Sequence, residues 1–206
     1  MFEGGVDKGR VWRALADQAA GRAGFEVTYS PLQGYSFSLP GPIAPSVDLF
    51  FRRITFSEVA PEALLGIYAE AFEADWRDRI LRTGQSVWLE SPALILYSAN
   101  LASLRPRPWV PASPSKPDLE SMLDWLDRLF AYAARLPSSV EALVAALESN
   151  SILEHKASSF LGHPVKVRGF FQWLRRTYGV QVGDNLLPLL TDRTEPYDVE
   201  AMLGER

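Results

Sequence analysis

An α+β fold is predicted, with an antiparallel sheet and two helices in the first half and an all-helical second half. Three observations carry this. Up to residue 104, short stretches that alternate apolar and polar residues are interspersed with stretches of helical period. From residue 118 onward the alternation disappears, and apolar runs open behind serines that have an acid three positions later. Between the two, Arg105 to Pro117 holds five of the chain's 15 prolines. The chain therefore divides into an α+β part (1–104), a proline-rich strap (105–117) and a helical part (118–206).

The elements follow in order. Arg10 to Arg22 has helical spacing, with Val11, Trp12, Leu15 and Ala19 toward the core and a stop near Gly21 and Gly24. Phe25–Tyr29 and Tyr35–Leu39 alternate on either side of a Pro31–Gly34 turn, which predicts a hairpin. Val47–Phe56 is a third strand. Pro61 then opens a long helix to Arg82, closed by Gly84. Val87–Leu89 and Ala93–Tyr97 are two further strands. Past the strap, Ser115 with Asp118, Ser138 with Glu141 and Ser151 with Glu154 have capping-box spacing. They predict helices over Asp118–Leu136, Ser139–Ser149 and Ile152–Leu161. Another is expected from Val165 to Tyr178, ending at Gly179, and short ones at Leu186–Leu190 and Pro196–Leu203.

Composition narrows the function classes. With 206 residues, 47% of them hydrophobic, the chain has ample material for a core, so long disorder is not expected. It has no cysteine, which excludes disulfides, thiolate metal sites and a thiol nucleophile. The net charge of −4 opposes general attraction to phosphate. Met1 to Lys8 lacks a basic stretch followed by an apolar one, so no signal peptide is expected. The apolar run Ala93–Tyr97 is too short to span a bilayer. A cytoplasmic protein without a membrane segment is the expectation.

Few residues suggest chemistry. Gly4–Arg10 precedes a helix but lacks the strand and the Gly-Lys-Ser/Thr ending of a phosphate loop, and reads as a frayed terminus. His155 and His163 lack the spacing of a metal pair, and no serine elbow accompanies them. No metal, cofactor or catalytic residue is expected. Glu73–Arg77, Asp75–Arg79 and Asp78–Arg82 are acid-before-base pairs four apart, the pattern of a solvated helix face. Tyr68, Phe72, Trp76 and Ile80 form the buried row opposite.

Two stretches could meet a partner. Between His155 and Arg176 the chain carries Lys156, Lys166, Arg168, Arg175 and Arg176, with no acid from Lys156 on. At 100° per residue Phe170, Phe171, Trp173 and Leu174 gather on one side, and the cations lie opposite or flanking. That describes a core-facing aromatic stripe with a cationic back, to which an acidic protein could dock. In the strap, Pro108, Pro111, Pro114 and Pro117 fall every third residue, the repeat of a polyproline II helix, and present Arg105, Arg107 and Trp109. Buried Trp109 contributes about 2 kcal/mol or more, enough to hold the strap against its own domain. Trp109→Ala is then expected to loosen the two halves and weaken partner binding together. Limited proteolysis checks this: rapid cleavage of the parent between Arg105 and Lys116 into two stable fragments would mark a loose tether instead.

From Arg10 to Leu136 the element order, the turn into Gly84 and the Leu119–Met122–Leu123–Leu126–Leu129–Phe130 stripe resemble small acidic type III secretion chaperones. The mixed first part with its helical tail also resembles bacterial immunity proteins. Either resemblance implies a non-enzymatic protein that binds a toxin or a secreted effector. The candidate partner-binding residues come from the two stretches themselves: Arg105, Arg107, Trp109, Lys166, Arg168, Arg175 and Arg176. Two alternatives stand beside it: an enzyme with carboxylates in a cleft between sheet and tail, and a nucleic-acid-associated protein acting through 156–176.

Overall fold

A computed structural model describes residues 8–30, 34–53, 58–83, 94–96, 110–111, 115–149, 151–152, 155–156 and 164–180. Helix α1 (Lys8–Arg22) buries Trp12, Ala16, Ala19 and Ala20, while Val11 and Leu15 are half-buried. It ends where the glycines predicted. Gly24 takes φ +79, its N–H donates to the Gly21 carbonyl, and the Phe25 N–H donates back to the Ala20 carbonyl. These are the two bonds of a left-handed helix cap, and they turn the chain into the sheet. A Cβ on Gly24 would meet only Leu39 Cδ2, at 3.8 Å, so backbone strain alone sets the cost of a side chain there. Gly24→Ala is expected to lose about 1–2 kcal/mol in urea unfolding, and Gly24→Asn less.

The strands are β1 (Glu26–Ser30), β2 (Gly34–Ser38), β3 (Ala44–Arg53), β4 (Glu58–Tyr68), β5 (Leu94–Leu96) and β6 (Val110–Pro111). Their order in the sheet is β1-β2-β3-β4-β5, with β6 also on β4. The predicted hairpin is present, pairing Glu26 with Ser38 through to Ser30 with Gly34. β3 runs antiparallel to β2 and sets Val47 beside Phe37. Val47 and Leu49 are buried, but so are Ser46 and Asp48, which alternate with them. Both faces of β3 are therefore covered along this stretch, and the strand order places it in the middle of the sheet. The α+β class is observed: this sheet forms early in the chain and helices dominate later.

Three expectations are corrected. The helix placed at Pro61 is a strand as far as Tyr68, and helix α2 runs only from Glu70 to Thr83. Ala63, Leu65 and Ile67 are buried at every second position, so sheet pairing overrides the helix preference of this Ala- and Leu-rich stretch. Among the described residues it pairs with β6 at Glu58 and Val59. The helix expected over Ile152–Leu161 is also absent at its start. Ser151–Ile152 (β7) and His155–Lys156 (β8) pair as a small antiparallel hairpin. Capping-box spacing is only a local signal, and here His155–Lys156 lies close enough in the chain to pair with Ser151–Ile152 instead. Finally, Val110–Pro111 of the expected polyproline strap is extended as strand β6, and Pro117 lies in the first turn of helix α3.

The chain forms two compact units, and their boundaries do not follow the strap. The first comprises Met1–Pro40, Ser46–Leu65 and Tyr97–Arg135. In it α3 (Lys116–Ala133) packs against α1. α3 buries Met122, Trp125, Leu126, Leu129, Phe130 and Ala133, a helical row that meets Phe25 and Phe37 of the sheet side. Its start is set by Ser115, whose N–H and hydroxyl donate to the Asp118 carboxylate at 2.9 and 2.6 Å. Arg22 of α1 grips Asp127 of α3 with two bonds of 2.6 and 2.7 Å, a half-exposed pair worth about 1 kcal/mol or less.

The second unit comprises Gly41–Pro45, Gly66–Leu96 and Leu136–Arg206. Its described helices are α2, α4 (Val140–Glu148) and α5 (Pro164–Tyr178). α4 starts one residue later than the sequence spacing implied: Ser139, not Ser138, is its cap and accepts from the Ala142 N–H. The backbone N–H of Glu141 and the Ser139 hydroxyl hold the exposed Glu141 carboxyl below its usual range. The stability this adds is present above the ordinary glutamate range and is lost as pH falls through the lowered value. Trp109, the predicted helices at 186–190 and 196–203, the strand at 87–89 and residues 4–7 of the Gly-rich start lie outside the described residues, while Lys8–Arg10, read as part of a frayed terminus, open helix α1.

Candidate functional site

α5 collects most of the residues that the sequence marked. Pro164 takes its first position, where a missing N–H costs nothing. Gly179, at φ +69, closes it, and the Gly179 N–H donates to the Arg175 carbonyl. One side carries Val167, Phe170, Phe171, Trp173 and Leu174, all buried. Phe72 of α2 meets Phe170 edge-on at 5.1 Å and Trp173 at 5.8 Å, and stacks on Trp76 at 5.7 Å. This aromatic cluster is the core of the second unit. The Trp76 indole N–H is buried in it without a hydrogen-bond partner.

The last turn of the helix is open to solvent. Arg175, Arg176, Thr177 and Tyr178 are exposed, and Arg168 is half-exposed. Tyr178 keeps 40% of its surface open while its ring stands edge-on to Trp173 at 5.5 Å. Two guanidinium groups in the last turn also suit the negative end of the helix dipole. Arg176 reaches Asp75 of α2 at 3.5 Å, a half-exposed pairing that leaves its charge largely wet.

Lys166 is a different kind of residue, and here the sequence reading is corrected. It was grouped with the outward cations, but it is fully buried. Its ammonium donates to Glu73 Oε2 at 2.6 Å and lies 5.9 Å from the centre of the Phe72 ring. Glu73, expected on the solvated face with Arg77, is 7% exposed and belongs to the interior. A partner protein cannot touch Lys166 without unfolding the unit. Spacing held the signal: Lys166 is four before Phe170 and seven before Trp173, and Glu73 lies beside Phe72 and three before Trp76. Both charges sit inside apolar stripes rather than on a charged face.

Tyr68, the last residue of β4, lies close to this pair. Burial, then the carboxylates of Glu73 and Glu70, push its phenol above the ordinary tyrosine range, with Arg77 opposing. The stability linked to it is complete below the ordinary tyrosine pKa and is lost as pH rises through the raised one. Among the described residues no three of His, Asp and Glu converge to hold a metal, and no helix is long and apolar enough to cross a membrane. His155 lies in β8. Arg105, Arg107 and Trp109 lie outside the described residues, as does His163. Compared with known protein families, curated proteins and solved structures, the chain matches none.

Proposed function

We propose that this chain is a non-enzymatic protein that binds another protein, and that the last turn of α5 meets an acidic surface of that partner. The observation that carries the reading is the joint exposure of Arg175, Arg176 and Tyr178 in the last turn of a helix whose preceding turns are locked in an aromatic core. Arginine and tyrosine supply large contact area together with charge or a hydroxyl, and they dominate the energetics of protein interfaces. A rigid helix presents them at little entropic cost. The partner class that suits this patch is a toxin or a secreted effector with an acidic face, with this chain as its immunity protein or chaperone. A reducing cytoplasm suits a chain without cysteine.

The two alternatives draw less support. Lys166, one of the five cations of 156–176, is buried away from any phosphate, which weakens the nucleic-acid reading. Glu73, one of two buried carboxylates among the described residues, is paired with Lys166 and shielded from solvent, so it is badly placed for work on a substrate. The test uses the purified products of the genes beside this one, titrated calorimetrically against the parent and against Arg175→Glu/Arg176→Glu. The double reversal is expected to weaken binding at least about tenfold, which is about 1.4 kcal/mol, and the parent's affinity is expected to fall with added salt. An unchanged affinity in the reversed variant, or no binding by any of those products, would overturn the proposal.

A further inference from the structure

We infer that the side of the β2–β3 ladder turned away from α3 holds an internal water molecule, bound between Ser46, Ser38 and Asp48. In the register of the two strands Ser38 stands opposite Ser46, and Ser36 opposite Asp48. Directly opposed residues of an antiparallel pair share a face, and residues two apart along one strand share it too. These four polar side chains therefore form one block. Phe37, Val47 and Leu49 lie on the reverse, where Phe37 meets the Phe130 ring of α3 at 5.2 Å. The polar block is no solvated surface: Ser38, Ser46 and Asp48 keep 7%, 4% and 5% of their area open, and Ser36 is half-buried. Within it the Ser46 hydroxyl is enclosed and meets no hydrogen-bond partner in the chain.

A buried hydroxyl without a partner gives up its bonds to bulk water and receives nothing in return, so such groups are nearly always satisfied by the chain or by an ordered water. The surroundings of Ser46 suit a water. Cβ atoms of directly opposed strand residues lie about 4.5–5.5 Å apart, which brings the two serine hydroxyls within the span of a single bridging water. Asp48 follows two positions later, about 6–7 Å along the strand. Its carboxylate accepts at about four sites, enough for this water beside the partner it already has. The water donates to the carboxylate and to one serine oxygen, and accepts from the other hydroxyl. Those three bonds are the usual complement of a buried water. A divalent cation fits the block less well, since it takes about six or more oxygen ligands and only one of these four residues is an acid. The ladder is thus dry toward α3 and hydrated on its reverse, and the binding proposal has no part in this inference.

Two measurements on the full chain test this, and both must agree with it. A high-resolution crystal structure of the parent is expected to show a water within about 3.2 Å of Ser46 Oγ and of Ser38 Oγ or the Asp48 carboxylate. Ser46→Ala is followed by urea unfolding, where the sign of the change decides. With the water in place, the substitution removes one of its bonds, and the unfolding constant is expected to rise about three- to tenfold. Were the hydroxyl truly without a partner, its removal would relieve a burial cost and leave the variant as stable as the parent or more so. That second result overturns the inference. So does a crystal structure in which Ser46 Oγ bonds directly to a protein group, has nothing beside it, or binds a metal ion.

Discussion

Lys166→Met is expected to destabilise the second unit by about 3–5 kcal/mol, because it leaves the Glu73 carboxylate buried without its cation. Glu73→Leu should cost a similar amount by stranding the ammonium. The double variant Glu73→Leu/Lys166→Met should lie within about 1 kcal/mol of the parent or exceed it. Desolvating two ions opposes folding, and a methionine and a leucine of similar volume carry no such penalty. Urea unfolding, together with hydrogen exchange of the α2 and α5 amides, provides the measurement, and the three variants close a double-mutant cycle. A coupling below about 1 kcal/mol would mean that the pair is solvated in solution. The contrast with Arg22–Asp127 is instructive: that pair is as short, at 2.6 Å, but half-exposed, and its loss should hardly register.

Phe130→Ala is the second large effect, expected to cost about 3–5 kcal/mol in the first unit. The ring is fully buried, with Phe25 at 5.1 Å and Phe37 edge-on at 5.2 Å, so its removal opens a cavity against the sheet side. Both neighbours would also lose the favourable ring geometry. Phe130→Leu fills most of the volume and should cost about 1.5 kcal/mol or less. Global stabilities of domains this size run at about 5–15 kcal/mol, so the alanine variant should be close to unfolding at 37 °C. Circular dichroism through a denaturant titration tests this. An alanine variant as stable as the leucine one would show that α3 does not rely on this ring.

What could be read in the chain, and what could not, separates along the range of the forces involved. The end of α1 at Gly24, the hairpin through residues 31–33, the Ser115–Asp118 cap, the stripe of α3 and the stop of α5 at Gly179 were all legible. Each rests on a turn residue, a cap or a period contained within one element, and such signals need no knowledge of the neighbours. The last turn of α5 was legible for the same reason, since spacing alone sets Arg175 and Arg176 away from the aromatic side.

Other features depended on groups far apart in the chain. Glu58–Tyr68 has the residues of a helix and becomes a strand because β6 and the rest of the sheet offer it ladder partners. The stretch at Ser151 carries capping-box spacing, yet Ser151–Ile152 pairs with His155–Lys156 instead. Lys166 and Glu73 are 93 positions apart. Either one, met alone in the sequence, belongs in water, because an isolated charge cannot be buried cheaply. Only the packing of α2 on α5 supplies the opposite charge at 2.6 Å that makes the interior tolerable for both. Local sequence thus determined where most helices begin and end and which faces are apolar. The tertiary structure decided which charges those faces would accept, because burial of a charge is settled by its partner.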